Sequence, residues 1–376
     1  MWNEGNSVRQ HKALDEALRV VIEVDTATVD TSNEGKLVHF VGEADTNSTV
    51  MDSTFGVSGK VLKLRRNVEI YQWVEEEHSE TKKNTGGSTT TTTTYTYNKE
   101  WRSTLVSSTT FQDPTGHENP SSMEFSSQEW DADPIVVGGY TIPTAIKNKM
   151  NWFQPTGSSI SLDNIPDETI RSQAQMYGNG FYLGSSPAFP EIGDMKISFD
   201  VVPQQVVSVV AKQIGDSLSA YTASSGGTVL LVESGPHDVT EMFLHANQAL
   251  NFQTWLIRVG GFVLLWVSFM AVLGPLSVFA DVLPILGNIV EAGTCCIAFI
   301  SAAITTTTTI AVSWLAFRPI VSLSLFAVVG GMIYFVKQRH GAKSGSGSDT
   351  SIPVATVVDY EMPSMGVSYK DDPDFT

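Results

Sequence analysis

Three constellations along the chain carry residue types suited to chemistry. His237, Glu241 and His245 fall at i, i+4 and i+8, a spacing that sets two imidazoles and a carboxylate on one helix face, as a zinc-like ion would require. Asp238 and Glu241, however, make the D-x-x-E spacing of a capping box. That cap puts His237 outside the helix, the set lacks a third strong ligand, and the expectation is no metal site. Gly215, Asp216, Ser217 and Leu218 spell a hydrolase nucleophile block, but its downstream Gly, Asn and His blocks do not fit in the short stretch left before the sequence turns apolar. Gly178, Gly180 and Gly184 miss the G-x-G-x-x-G dinucleotide spacing by one residue and have no strand-helix-strand context. No catalytic set and no cofactor are expected.

A second group of chemically capable residues lies in apolar surroundings. Thr305 to Thr309 place five consecutive hydroxyls in a hydrophobic run, where each can bond its own i−4 carbonyl or a neighbouring helix. Helix packing is the expected role, with a hydrated path as the alternative. Cys295 and Cys296 are the only cysteines; they are expected to be small packing residues, with acylation as the alternative. Asp281 and Glu291 would be functional at membrane depth, where charge is expensive, but they bracket a short turn with Pro284 and Gly287 and read as solvated interface residues.

What must hold these groups is a membrane block. Residues 259–336 contain only Asp281, Glu291 and Arg318 as charged side chains. Three spans fit: 259–280, 292–317 and 319–336, about 33, 39 and 27 Å long at 1.5 Å per residue. Each approaches or exceeds a hydrocarbon core of about 30 Å. Arg318 and Pro319 make the second turn, and Trp255, Arg258 and Arg318 are expected at the membrane interface. The tail, 337–376, is rich in Gly, Ser, Pro and Asp and is expected to be disordered. Lys337, Arg339 and Lys343 on the tail side against Arg258 and Arg318 on the other favour a cytoplasmic tail.

The 258 residues before the block carry 18 basic and 32 acidic groups out of a chain total of −17. Such a surface does not hold nucleic acid, because phosphate binding needs clustered Lys and Arg. Residues 1–33 form an amphipathic segment, with a short surface helix from Asn6 to Val24 striped by Leu14, Ala17, Leu18 and Val21. From Lys36 the pattern is β, including Val61 to Val74, a loop near 82–88, and a second arm over 90–106 in which threonine, though low in complexity, favours a strand. Gln112 to Ser122 is turn-rich, and a further β region spans 196–210 and 229–232. At Asp238 the apolar period becomes helical, with Val239, Met242, Phe243, Ala246, Ala249 and Leu250 on one face. The fold class expected is an α+β membrane protein: a β-rich hydrophilic domain (34–235), a juxtamembrane helix (236–258) and three transmembrane helices. In the second span, Ala302, Ala303, Thr306 and Thr307 are expected to pack against neighbouring helices. Asn47, Ser48 and Thr49 form a glycosylation sequon.

Several blocks, in order, resemble the transmembrane protein 43 (LUMA) family: EGKLVHFVG from Glu34, LKLRRNVEIYQW from Leu62, YTYNKEWRS from Tyr95, GHENPSSM from Gly116, GDMKISFDVVPQQVVSVVAKQ from Gly193, TEMFLHAN from Thr240 and WLAFRP from Trp314. The resemblance implies a non-enzymatic, multi-pass protein of the endoplasmic reticulum and inner nuclear membrane with a lumenal domain, which would place Asn47 in the lumen. It also implies a scaffold role, with membrane lipids, lamin- or emerin-like envelope proteins and a second copy of the chain as partners. The family carries a further span before the hydrophilic domain, and WNEG at Trp2 to Gly5 reads as the end of that span. A channel or transport role, suggested by the threonine-rich second span and the acidic turn, is the alternative.

This topology makes a direct prediction. Protease added to intact microsomes should remove only the tail, and digestion of residues 34–258 in the same sample would contradict a lumenal domain.

Overall fold

The computed structural model describes residues 2–84, 88–157, 160–280 and 284–317. The principal elements are helix α1 (Trp2–Val20) and strands β1 (Leu37–Asp45), β2 (Lys63–Lys83), β3 (Thr89–Arg102), β4 (Met195–Val202), β5 (Gln205–Ile214) and β6 (Leu231–Ser234). Helices α2 (Val239–Ala280) and α3 (Pro284–Phe317) follow. Arg318, the third expected span and the tail lie outside the described residues. The fold is mixed helix and strand, with a β-rich N-terminal part and two long apolar helices.

The strands build two seven-stranded sheets. In the first, β5 pairs with β1 and β6, and short strands Ser217–Ser219, Val136–Val137 and Tyr140–Thr141 extend the edges. In the second, β2 lies between β3 and β4, and Gly180–Leu183 and Ala174–Tyr177 continue beyond β4. Inner side chains of both sheets share one buried core, including Val38, Phe40, Leu64, Phe181 and Phe199. Tyr140 stacks on Phe40 with ring centroids 4.7 Å apart.

The β region expected over 196–210 is two strands in different sheets. Pro203 has no N–H to donate to a ladder, so pairing stops at Val202 and restarts at Gln205. The chain crosses from one sheet to the other at this break. The threonine run resolves as a strand: β3 pairs with β2 from Ile70↔Arg102 to Lys83↔Thr89. β4 covers β2 only as far as Ile70, so the outer part of the pair projects as a two-stranded ribbon. Its last nine residue pairs span about 30 Å. Cross-strand hydroxyl pairs support it, Ser79 with Thr93 at 2.9 Å and Thr81 with Thr91 at 3.0 Å. At its base, Asn119 accepts from the Trp73 amide at 2.7 Å and donates to the Trp73 and Val106 carbonyls.

The outer face of the first sheet is also buried, because residues alternate across a strand. While Val38 and Phe40 face the main core, Leu37 and Val210 face a second cluster made with Ala13, Leu14 and Ala17 of α1 and Met242 and Phe243 of α2. Val239, Ala246 and Leu250 line its margin, so most of the apolar stripe of the sequence is the face α2 turns toward the sheet, while Ala249, expected on it, is exposed. α1 begins at Trp2, not Asn6, and ends at Val20; Ile22–Glu23 is instead a short strand parallel to β1.

The helical boundaries also differ from expectation. α2 runs without a break from the domain through 258, where a separate juxtamembrane helix was expected to give way to a span. Gly260 and Gly261 do not interrupt it, as is usual for apolar helices whose hydrogen bonds are satisfied internally. α3 begins at Pro284, the position where proline's missing N–H costs nothing, rather than at 292. Glu291 is thus a residue of α3 and not of a turn, while Asp281 lies outside the described residues.

Phe243 is 1% exposed and Phe189 is 80% exposed. Phe243→Ala should therefore destabilise the chain by about 3–5 kcal/mol, and Phe189→Ala by less than about 0.5 kcal/mol. Denaturant unfolding of the full chain in detergent, followed by tryptophan fluorescence, checks the pair; equal midpoints would contradict the seam.

Candidate membrane junction

Helices α1, α2 and α3 meet where the domain gives way to apolar helix. α1 runs antiparallel to α2: His11 Nδ1 lies 2.9 Å from Asn247 Oδ1, Thr254 Oγ1 lies 3.1 Å from Ser7 Oγ, and Glu4 meets Arg258 one further turn along. The last contact is bidentate, Arg258 Nε and Nη2 donating to the two Glu4 carboxylate oxygens at 2.6 and 2.7 Å. Trp314 Nε1 of α3 donates to the same carboxylate at 3.2 Å. A planar guanidinium fork matches a carboxylate in this way as an ammonium cannot. Arg258 also lies 5.4 Å from the Trp255 ring and 6.0 Å from the Trp314 ring. One acidic group of α1 therefore ties together both apolar helices.

Close approach at this point depends on Gly5. A Cβ there would sit 2.7 Å from the Phe317 ring, so a larger residue requires the Phe317 side chain to shift.

From Leu256 onward α2 meets α3 on one side, with Phe262 and Trp266 against Phe299, and its remaining surface is apolar and exposed. Leu256, Val259, Leu264, Val267 and Val272 are each more than half exposed, which in water would be strongly unfavourable. Residues 239–274 and 293–317 are each long and apolar enough to cross a bilayer. At 42 residues, α2 extends about 63 Å, roughly twice the hydrocarbon thickness. Its first half lies on the sheet and its second half supplies the candidate span. Trp255 is 62% exposed, beside Arg258 at the changeover.

The four packing residues expected in the second span are divided. Ala302 is fully buried, Ala303 and Thr306 are half-buried, and Thr307 is exposed. Ala298 and Ser313, also fully buried, continue the Ala302 face, so the contact follows one helical stripe and Thr307 lies off it. Thr305 donates to the Ser301 carbonyl and Thr309 to the Thr305 carbonyl, both at 2.8 Å. These hydroxyls are satisfied within their own helix. Cys296 is exposed and Cys295 half-buried, which corrects the expectation that both are buried packing residues.

Other sequence candidates fall apart from this junction. Asn47 is exposed in a bend after β1. Gly215 and Asp216 form the hairpin turn between β5 and Ser217–Ser219, Gly215 with φ +58°. Gly178 likewise occupies a turn, at φ +57°. The histidine cluster lies at the start of α2: Asp238 caps the helix, accepting from the Glu241 amide at 2.8 Å, and His237 precedes it. Glu241 beside the ring raises the His237 imidazole above its ordinary range. Burial instead depresses His39, whose Nε2 sits 3.1 Å from the His237 carbonyl.

Sequence reasoning identified Arg258 and missed Glu4, because the two are 254 positions apart. The only local signal was an acidic residue in the first turn of an amphipathic helix, which many surface helices share.

The transmembrane protein 43 family model matches residues 70–319, well over half of the chain. The chain is 33% identical to transmembrane protein 43 of Rattus norvegicus over 329 residues, covering 85% of this chain and 80% of the relative. It is 32% identical to the Homo sapiens protein over 352 residues, 91% of this chain and 86% of the relative. The Drosophila melanogaster homolog is 31% identical, with 86% of each chain covered. This chain belongs to the transmembrane protein 43 family. No solved structure matches it. The match runs from the ribbon through the junction, so it includes Arg258 and Trp314, while Glu4 lies outside it. A family of transmembrane proteins accounts for the exposed apolar faces of α2 and α3: the chain is a membrane protein.

The pair is testable by a double-mutant cycle. Glu4→Gln and Arg258→Gln should each lower the melting temperature of the detergent-solubilised chain. The double variant should lose less than the sum, with a coupling of roughly 0.5–3 kcal/mol; strictly additive losses would show that the two side chains do not act as a pair.

Proposed function

We propose that this protein is a non-enzymatic integral membrane scaffold that organises membrane protein complexes at the endoplasmic reticulum and inner nuclear membrane, with its β-rich domain in the lumen. The observation that supports this reading is mechanical. A single helix passes from the outer face of a β-sheet into an apolar span, and α1 clamps it through Glu4, Ser7 and His11. A domain held this firmly presents the same surfaces at a fixed height above the bilayer, which is what assembly of neighbours demands.

The ribbon of β2 and β3 is the most extended of those surfaces. Glu76, Glu77 and Glu80 and the exposed threonines give it an acidic, hydroxyl-rich character, suited to polar or basic partner surfaces. Lipids, nuclear envelope proteins of lamin- or emerin-like kind and a second copy of the chain are the partners this role implies. Exposure of Asn47 after β1 is compatible with a lumenal domain.

Proximity labelling from a tag on the hydrophilic domain in the native cell tests the proposal. It should mark resident envelope and reticulum membrane proteins, and fewer of them when the ribbon is shortened by deleting 76–96. Labelling confined to another compartment would contradict the location. Reproducible conductance of the reconstituted chain, abolished by replacing Thr305 to Thr309 with Val, would replace the scaffold by a pore.

A further inference from the structure

We propose that Glu233, His237 and His245, with Glu241 as a fourth donor, form a binding site for a zinc-class divalent transition-metal ion at the joint between β6 and α2. The sequence alone offered two imidazoles and one carboxylate on a helix whose cap excludes the first imidazole. The fold supplies the missing ligand from another element. One donor atom from each of Glu233, His237 and His245 lies within 4.8 Å of the others. Donors about 2.0–2.1 Å from a tetrahedral zinc ion stand about 3.3 Å apart, so small side-chain rotations close the shell.

The surroundings are arranged as a metal site requires. His237 Nε2 lies 3.0 Å from the Ser234 carbonyl, the outer contact that commonly orients a metal-binding imidazole and leaves its other nitrogen free. That other nitrogen, Nδ1, faces Glu241 Oε2 at 2.9 Å. A bare lone pair facing a carboxylate at that distance is repulsive unless a proton or a cation stands with them. His245 Nδ1 lies 2.9 Å from Glu233 Oε2, and its Nε2 lies 4.0 Å from Glu241 Oε1. Two imidazoles are thus held among two carboxylates.

The backbone of the loop is fixed before any ion arrives. Ser208 of β5 donates to the Gly235 carbonyl and accepts from the His237 amide, both at 2.8 Å, and His39 of β1 contacts the His237 carbonyl. A helix N-terminus ordinarily repels a cation, but Glu233 and Glu241 bring two negative charges that match a divalent ion. Because the ligands come from β6, the joint and α2, a bound ion would cross-link the sheet to the helix that enters the membrane.

Optical titration with Co2+ as the probe tests the site. The full chain, purified in detergent after chelation, should bind one equivalent of Co2+ with visible d–d absorption, which Zn2+ then displaces. His237→Ala and His245→Ala should each weaken Co2+ by more than about 100-fold, beyond the roughly 10–100-fold of outer-contact changes. His78→Ala, on the ribbon, should bind as the parent does. Zn2+ should raise the melting temperature of the parent and not of the two site variants. Absence of a one-equivalent signal in the parent, or an unchanged titration in the His237→Ala, His245→Ala double variant, would overturn the proposal. If those variants fail to fold, His245→Cys in a Cys295→Ser, Cys296→Ser background must introduce an intense thiolate-to-cobalt band, and its absence in a folded sample would overturn the proposal equally.

Discussion

Met242 and Phe243 cannot stay in water, and among the described residues the apolar surface they meet is the outer face of the first sheet together with α1. Both are within 1% of full burial against Leu37, Val210 and Ala13, and the placement of the helices follows from that contact. It fixes the line along which α2 leaves the domain. Because α2 continues unbroken into its apolar half, the same contact also sets the direction of the span. α1 covers the remaining side of the seam and carries Glu4 to Arg258, so the polar clamp at the membrane edge exists only because the apolar seam has already aligned two helices.

The two kinds of interaction have different tasks. Hydrophobic burial is strong and non-directional and gives the seam its stability, whereas the bidentate pair at Glu4 and Arg258 fixes register and rotation. A displacement of α1 by one residue would carry the carboxylate away from both Arg258 and Trp314. Burying a charge without its partner is expensive where solvent is scarce, which penalises alternative registers more than it strengthens the correct one.

Local patterns in the sequence were legible wherever their cause was local. The stripe from Val239 to Leu250, the cap at Asp238 and the first two apolar runs beyond 258 depend on neighbours within a turn or two, and each falls at or within α2 and α3, with Ala249 alone of the stripe exposed. The threonine run carried opposing signals, low complexity against β-branching; pairing with β2 decided it. The region 196–210 reads as one β segment because nothing near Pro203 indicates that the strands flanking it enter different sheets, which depends on β1 and β2 far upstream. Glu4 and Glu233 were invisible for the same reason: their partners are brought by the fold. Thr307 is exposed among the described residues while Ala302 is buried, and a run of five threonines gives no indication of which of them lies on the stripe with Ala298 and Ala302.

The account rests on α1 being a permanent part of the junction. Hydrogen exchange of the full chain in lipid nanodiscs measures this directly through the amides of residues 8–17. They should exchange as slowly as those of β1 and β5, since opening α1 would expose the seam. Exchange at the rate of an isolated surface helix, with β1 and β5 still protected, would show that the sheet and α2 hold together without α1, and would contradict the account.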